Sequence, residues 1–101
     1  MNYTVIISDR ARQLLAQHIR FLARVSKSAA AELKQRFLAE FRSLEALPQR
    51  YPFFEAPFIP PCKYHKLYVK NWFLVLYQIR DDTVYIDWIV DCRRDYPWLL
   101  K

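Results

Sequence analysis

The chain has 101 residues, of which 53% are apolar, and its 16 basic and 10 acidic side chains give a net charge of +6. This composition excludes a disordered or fibrous protein. It predicts one folded domain over residues 1–101, large enough to bury about two thirds of its unfolded surface. The absence of glycine excludes the glycine-rich phosphate loops of P-loop and Rossmann enzymes. The sequence pI near 9.6 favours a polyanion or an acidic protein as partner over a basic surface that serves solubility alone.

A strand and two helices are predicted in the first half of the chain. Residues 3–7 form a short apolar run with β-branched side chains, which favours a strand. Ser8 is a candidate N-cap for an amphipathic helix that reaches about Arg24. Residues 26–28 offer a second cap before an apolar stripe that runs up to Pro48. Two helices with a short break between them make an antiparallel hairpin. The apolar stripes consist of Ala11, Leu14, Leu15, His18, Ile19 and Leu22 in the first helix and of Leu33, Phe37, Phe41, Leu44 and Leu47 in the second.

Residues 48–61 are expected to form a stiff, extended connector. They hold five of the six prolines, which disfavours both a helix and a central strand. Four aromatic side chains make this segment too apolar for a free linker, so we expect them to pack against the helices or to meet a partner. They are Tyr51, Phe53, Phe54 and Phe58.

Three strands that form an antiparallel meander are predicted in the second half of the chain. They are Tyr64–Val69, residues 72–80 and residues 83–92, joined by tight turns at 70–71 and 81–82. The middle strand is apolar on both faces, so we expect it to be central and covered on both sides. The helical hairpin covers one side. A partner chain or the C-terminal segment is left to cover the other.

The third strand of the meander is expected to alternate regularly. Val84, Ile86, Trp88 and Val90 then share one face. The turn positions place residue 91 opposite residue 72. Basic residues from two distant stretches should therefore meet at one end of the sheet, with Arg93 and Arg94 close to Lys70.

The two cysteines, Cys62 and Cys92, are expected to be free thiols. In the meander they lie at opposite ends of the sheet, about 30 Å apart, whereas a disulfide needs Cα atoms within about 7 Å. They also lack the spacing of a zinc site, so we expect neither a metal nor another cofactor. Free thiols, no run of 18 apolar residues and no signal-peptide pattern at the N-terminus together predict a cytoplasmic protein.

The order β-α-α-β-β-β, the small size and the basic character resemble the RelE/ParE superfamily of bacterial type II toxins. The resemblance covers nearly the whole chain and is strongest over residues 64–72, 75–77 and 81–86 and at the end Arg93-Arg94-Asp95-Tyr96. It implies an α+β fold in which an N-terminal strand and a helical hairpin pack with a small antiparallel sheet. It also implies a toxin, of the kind linked to plasmid stabilisation, that its cognate antitoxin holds inactive in a heterotetramer or larger complex.

Toxins of this superfamily act in two main ways. RelE-like members cleave mRNA in the ribosomal A site without a metal, which is our leading hypothesis for this chain. ParE-like members poison DNA gyrase, which is the alternative. A relic that only binds its antitoxin is a third possibility.

Metal-free RNA cleavage needs a base, an acid and cations that hold the phosphate. Arg93 and Arg94 suit the phosphate because a guanidinium binds its oxygens bidentately. Tyr96 could stack on a base or act as an acid, and Lys66 could add positive charge. The hypothesised catalytic set is therefore Arg93, Arg94, Tyr96 and Lys66.

Two further groups of residues are candidate contacts. Lys63, His65, Lys70 and Arg80 are expected to bind nucleic acid or another target. Trp72, Tyr85 and Trp88 are expected to anchor the antitoxin, because large aromatic side chains dominate such contacts. The antitoxin could lay a helix across the groove between sheet and hairpin, or add a strand to a sheet edge. Structural alternatives are a solvated face for the arginines, partial burial for His65 and a core position for His18.

Two positions depart from the nuclease pattern. Leu74 stands where RelE-like nucleases usually carry an arginine, three residues before the tyrosine that matches Tyr77. Asp95 stands where YoeB-like nucleases carry a histidine, and an ionised aspartate cannot donate a proton. Both departures weaken the nuclease hypothesis. They do not establish the gyrase hypothesis, because gyrase poisoning leaves no catalytic signature that could be checked in the sequence.

Overall fold

A computed structural model describes residues 2–70 and 72–92 of the chain. This part contains one sheet with the strand order β1-β5-β4-β3-β2, in which β1 runs parallel to β5 and the other neighbours are antiparallel. None of the helices within these residues is long and apolar enough to cross a membrane. The elements are β1 (Thr4–Ile7), α1 (Asp9–Ala23), α2 (Lys27–Ser43), a 3₁₀ turn (Pro48–Arg50), β2 (Phe53–Phe54), β3 (Tyr64–Val69), β4 (Phe73–Arg80) and β5 (Thr83–Asp91).

Both helices begin at the serines that the sequence indicates. The Ser8 hydroxyl accepts a hydrogen bond from the backbone N–H of Ala11 at 3.0 Å. The Ser26 hydroxyl accepts one from Ala29 at 3.1 Å. Each cap pairs one of the backbone donors that the first turn of a helix leaves without an intrahelical partner, a contribution of about 1 kcal/mol.

The second helix ends earlier than predicted. Its last residue is Ser43, and Leu47, expected on the apolar stripe, is 70% exposed and adopts a left-handed backbone with φ 50°. The chain turns here because Pro48 cannot continue the helix, although its fixed φ suits the start of the 3₁₀ turn. The Arg50 guanidinium donates hydrogen bonds to the carbonyls of Ser43, Ala46 and Leu47 at 3.3, 2.8 and 3.1 Å, which links the 3₁₀ turn to the end of α2.

The helical hairpin packs on one face of the sheet, as the apolar stripes predict. We call this the helix face. Its core combines the buried residues Leu33, Phe37 and Phe41 of α2 with Val75 and Tyr77 of β4. Each fully buried side chain of this size contributes about 1.5–3 kcal/mol by removal from water. The helix face is therefore the main source of stability of the domain.

A β-bulge in β5 overturns the predicted alternation. Leu76 pairs with Trp88 but Tyr77 pairs with Ile86, so Asp87 is an extra residue without a partner on β4. An extra residue reverses the side-chain alternation beyond it. Trp88 and Val90 consequently leave the helix face, where Val84 and Ile86 remain and which Ile89 joins.

The same bulge moves the predicted register by one residue. Asp91 lies opposite Phe73 rather than opposite Trp72. The prediction assumed regular pairing, and a bulge cannot be read from alternation alone, because both faces of β4 are apolar.

The opposite face of the sheet, which we call the second face, is covered largely by the proline-rich connector. Phe54 is buried there with Tyr64, Leu74, Leu76 and Val90. Ala56 and Ile59 of the connector pack against this cluster, as do Trp88 and Cys92. The connector thus supplies a cover that the sequence left to a partner chain or the C-terminal segment, and it adds the short edge strand β2.

Candidate functional site

Three of the four residues of the hypothesised catalytic set, Arg93, Arg94 and Tyr96, lie outside the described residues. The last described residue, Cys92, donates its backbone N–H to the carbonyl of Trp72 at 2.6 Å. Lys70 lies in the adjacent β3–β4 turn with φ 54°, and its Nζ is 6.0 Å from the Trp72 ring centroid. Cys92 therefore lies beside the Lys70 turn.

The fourth residue, Lys66, lies on β3 opposite Leu76, with its side chain half-buried. Strand alternation places it on the second face with Tyr64 and Tyr68. Lys66 thus lies on the strand that leads into the Lys70 turn, but on a face of the sheet whose centre is apolar.

The other predicted cations do not converge on Lys70. Arg80 lies at the far end of β4, about 23 Å from Phe73 at 3.3 Å per residue, and its guanidinium is 6.0 Å from the ring of Tyr85. Lys63 precedes β3 at that same far end, because Tyr64 and His65 lie beside the last part of β4. The predicted target-binding set is therefore divided between the two ends of the sheet.

His65 occupies a packed interior position. Its side chain is 7% exposed, and Nδ1 lies 2.7 Å from the carbonyl oxygen of Tyr51, so this nitrogen carries the proton. The ring stacks on Tyr77 with centroids 5.2 Å apart and lies 4.3 Å from the ring of Phe53. This environment agrees with the structural alternative of burial for His65, and a contact between His65 and a nucleic acid or another target stays a prediction.

Leu74, at the position of the nuclease arginine, is fully buried. It has 0% exposure and packs with Phe54, Leu76 and Val90 beneath the connector. Tyr77, the neighbouring family position, is also 0% exposed and donates its hydroxyl to the carbonyl of Pro48 at 2.7 Å. Burial raises the pKa of Tyr77 well above its ordinary value. Both positions belong to the interior of the protein in this structure.

The bulge creates a polar network on the second face that the sequence analysis missed. The Asp87 carboxylate accepts hydrogen bonds at Oδ2 from the Tyr64 hydroxyl at 3.1 Å and from Gln78 Nε2 at 2.7 Å. Burial raises the pKa of Tyr64, and the charge and hydrogen bond of Asp87 raise it further. A hydrogen bond with Trp88 and the charge of Arg10 act in the opposite direction. The sequence signal for this network is an acidic residue between apolar residues in the middle of β5.

Arg10 connects the first helix to this network. Its guanidinium carbon lies 3.7 Å from the ring centroid of Trp88, and its Nε donates to the backbone carbonyl of Asp87 at 3.2 Å. Arg10 can reach β5 because β1 ends at Ile7 while β5 continues to Asp91. Side chains of α1 therefore contact the outer edge of β5 beyond the bulge.

The predicted antitoxin anchors are spread along the sheet. Trp72 is 39% exposed beside the β3–β4 turn, whereas Tyr85 is half-buried near the opposite end, opposite Gln78. Trp88 lies between them, opposite Leu76, with Arg10 against its ring. The three aromatic side chains therefore do not form one compact patch.

The net charge is concentrated on the helices. Residues 9–43 carry eight basic and three acidic side chains, whereas residues 44–92 carry five basic and six acidic ones. The sheet and its connector therefore have a nearly balanced charge. In the part of the chain that the structure describes, no group of three or more His, Cys, Asp or Glu side chains could hold a metal ion, and both cysteines are free.

Comparisons with known proteins identify the fold. A scan of protein-family models finds no match, and a search of curated proteins finds none either. Among solved structures, a chain from "Chromosomal ParDE TA system from P. aeruginosa" superposes with a TM-score of 0.69 at 13% identity, over 88% of this chain and 95% of that chain. The predicted RelE/ParE-like fold is confirmed. At this level of identity the likeness establishes the fold alone.

Proposed function

We propose that the protein is the toxin of a type II toxin–antitoxin system and that it acts by binding a protein target, with DNA gyrase as the candidate, rather than by cleaving mRNA. The observation that carries the proposal is the likeness to a chain of a ParDE toxin–antitoxin system over nearly the full length of both chains. A cognate antitoxin would then be the partner that holds the protein inactive, and the cytoplasm its compartment.

The burial of Leu74 supports a toxin that is not a nuclease. Phosphate binding on β4 requires an exposed cation, and this position instead holds an apolar side chain with 0% exposure. His65 is also buried, with 7% exposure, and already has a hydrogen-bond partner in the backbone carbonyl of Tyr51. Leu74 and His65 therefore do not supply the exposed cation and base that metal-free cleavage needs.

Ribosome-dependent mRNA cleavage is the second candidate. The hydrogen bond from Cys92 to Trp72 supports it, because it places Cys92, the residue before Arg93 and Arg94 in the sequence, beside the turn that carries Lys70. Lys66 and Tyr96 would complete that site.

Induced expression without antitoxin tests the proposal, with supercoiling and mRNA cleavage followed in the same culture. We expect growth arrest, loss of gyrase supercoiling by the purified protein in vitro, and unchanged mRNA ends on translating ribosomes. New cleavage sites in mRNA with normal supercoiling would establish the nuclease alternative instead. Harmless expression of a folded protein would leave only a relic that binds antitoxin.

Arginine variants sharpen the comparison. Under the nuclease alternative, Arg93→Ala with Arg94→Ala abolishes mRNA cleavage, because the phosphate loses its cations. Arg20→Ala, which removes an exposed arginine from α1, is the matched control and should leave either activity unchanged.

A further inference from the structure

A small cavity opens on the second face of the sheet, away from the Lys70 turn. It measures about 310 Å³, and we call it the Arg10 pocket. Phe58, Ile59 and Trp88 form apolar walls, the buried Tyr64 lies at its inner side, and the exposed cations Arg10 and Lys63 stand at its opening.

We propose that the Arg10 pocket binds an acidic segment of a protein partner, with one apolar side chain of the segment inside the pocket and a neighbouring carboxylate between Arg10 and Lys63. The identity of the partner, as antitoxin or target, rests on the proposed function. The binding chemistry follows from the residues of the pocket alone.

The bulge in β5 is the structural reason for the pocket. Regular alternation would place Trp88 on the helix face with Val84 and Ile86, but the extra residue Asp87 turns it to the second face. Bulges of this kind redirect a side chain and are over-represented next to functional sites. The Asp87 carboxylate then holds the inner side of the pocket in place through Tyr64.

Arg10 is oriented to receive a carboxylate. Its guanidinium lies 3.7 Å from the Trp88 ring centroid, and Nε donates to the Asp87 carbonyl. These two contacts use one face of the guanidinium plane and one of its five N–H donors. Nη1 and Nη2 have no hydrogen-bond partner among the described residues and can form a bidentate pair with an anion. An arginine held in this way loses less conformational entropy on binding than a free one.

Lys63 and Phe58 complete the complementarity. The Lys63 Nζ lies 5.3 Å from the Tyr64 ring centroid, which places a second positive charge at the opening. Phe58 is 67% exposed and Ile59 half-buried, so an apolar side chain entering the pocket would cover surface that now contacts water. An exposed aromatic beside two cations matches a segment in which an apolar residue adjoins an acidic one.

A protein segment fits this site better than a nucleic acid. The sheet and connector, residues 44–92, carry five basic and six acidic side chains, whereas phosphate backbones bind where basic charge is in clear excess. Arg10 already occupies a face of Trp88, which removes a stacking surface that a base would use.

An NMR titration of the full-length protein tests the proposal. The probe is a short synthetic peptide that carries Leu-Glu pairs, and its controls are the same peptide with Leu-Gln pairs and a single-stranded oligouridine. We expect the Leu-Glu peptide to shift the signals of Phe58, Lys63 and Trp88 and to bind more tightly than either control. Arg10→Gln and Lys63→Gln should each weaken binding about fivefold, the upper range for one partly exposed ion pair.

Arg20→Gln is the matched variant, because it removes the same charge from an exposed position of the same helix. Equal weakening by Arg20→Gln and Arg10→Gln would overturn the proposal in favour of general charge attraction. Equal affinity for the Leu-Glu and Leu-Gln peptides would also overturn it, and tighter binding of oligouridine at the same residues would show a nucleic-acid site. Circular dichroism confirms that each variant is folded. Because no growth assay is involved, failure of peptide binding is separable from failure of the proposed toxin activity.

Discussion

Restoring the arginine of the nuclease pattern, by Leu74→Arg, should unfold much of the protein. Leu74 is 0% exposed and lies beneath the connector among Phe54, Leu76 and Val90. Losing the buried leucine costs about 1.5–3 kcal/mol, and dehydrating a guanidinium in an apolar site costs several kcal/mol more. We expect a total destabilisation of about 4–6 kcal/mol, which is comparable to the whole stability of a marginal domain.

Thermal unfolding followed by circular dichroism measures this effect. Because about 1 kcal/mol shifts the Tm of a domain of this size by about 4–8 °C, the Tm should fall by at least about 15 °C. Leu74→Met is the conservative control and should cost less than about 1.5 kcal/mol. Tyr68→Arg is the positional control, because Tyr68 lies opposite Leu74 on β3 but is 48% exposed.

A Tm loss below about 5 °C for Leu74→Arg would refute the reasoning. It would mean that the connector leaves the second face readily and that position 74 is accessible to a substrate. The nuclease alternative would then regain its main structural requirement, and the variant should be assayed for mRNA cleavage.

Three further predictions concern the buried polar groups. Tyr77→Phe should cost about 1–3 kcal/mol at neutral pH, because the Pro48 carbonyl loses its buried donor. In the native protein the raised pKa keeps the proton on Tyr77 above about pH 10, whereas the unfolded chain loses this proton there. As the pH rises above about 10, the free energy of unfolding therefore falls by up to about 1.4 kcal/mol per pH unit because of this group. Guanidinium unfolding at neutral and alkaline pH measures this loss of stability, which should be smaller for Tyr77→Phe than for the unmodified protein. An identical loss of stability in both proteins would contradict the raised pKa of Tyr77. His65→Leu should lower the free energy of unfolding by about 1–3 kcal/mol, because the Tyr51 carbonyl is left without its partner. The variant should still arrest growth at a permissive temperature. Loss of growth arrest in a folded variant would instead show that His65 belongs to the functional site. Asp87→Asn should lower the pKa of Tyr64, since the carboxylate charge helps to raise it. NMR titration of the Tyr64 ring measures this change, and an unchanged pKa would mean that the hydrogen-bond network is not formed.

Local sequence patterns predicted most of the elements. Ser8 and Ser26 cap the two helices, and β3 spans the predicted range Tyr64–Val69. These features depend on interactions between residues close in sequence, such as capping hydrogen bonds and the periodicity of one apolar face. The resemblance to the RelE/ParE superfamily rested on the order of those elements, so the fold could be predicted without knowledge of the packing.

The sequence was less informative about contacts between distant segments. The strand β2 has only two residues in a proline-rich stretch, and it forms because the edge of β3 offers hydrogen-bond partners. The parallel pairing of β1 with β5 joins the two ends of the described chain and leaves no local signal. The buried state of His65 and Leu74 likewise follows from the connector folding over the sheet.

The candidate site shows the same division most clearly. The sequence alone determined that an apolar strand carries Asp87 and Trp88, but regular alternation placed Trp88 on the wrong face. The bulge depends on pairing with β4, where an extra residue is accommodated between Leu76 and Tyr77. Only the tertiary structure could therefore bring Trp88, Tyr64 and Arg10 together, because their contacts join three elements that are far apart in the chain.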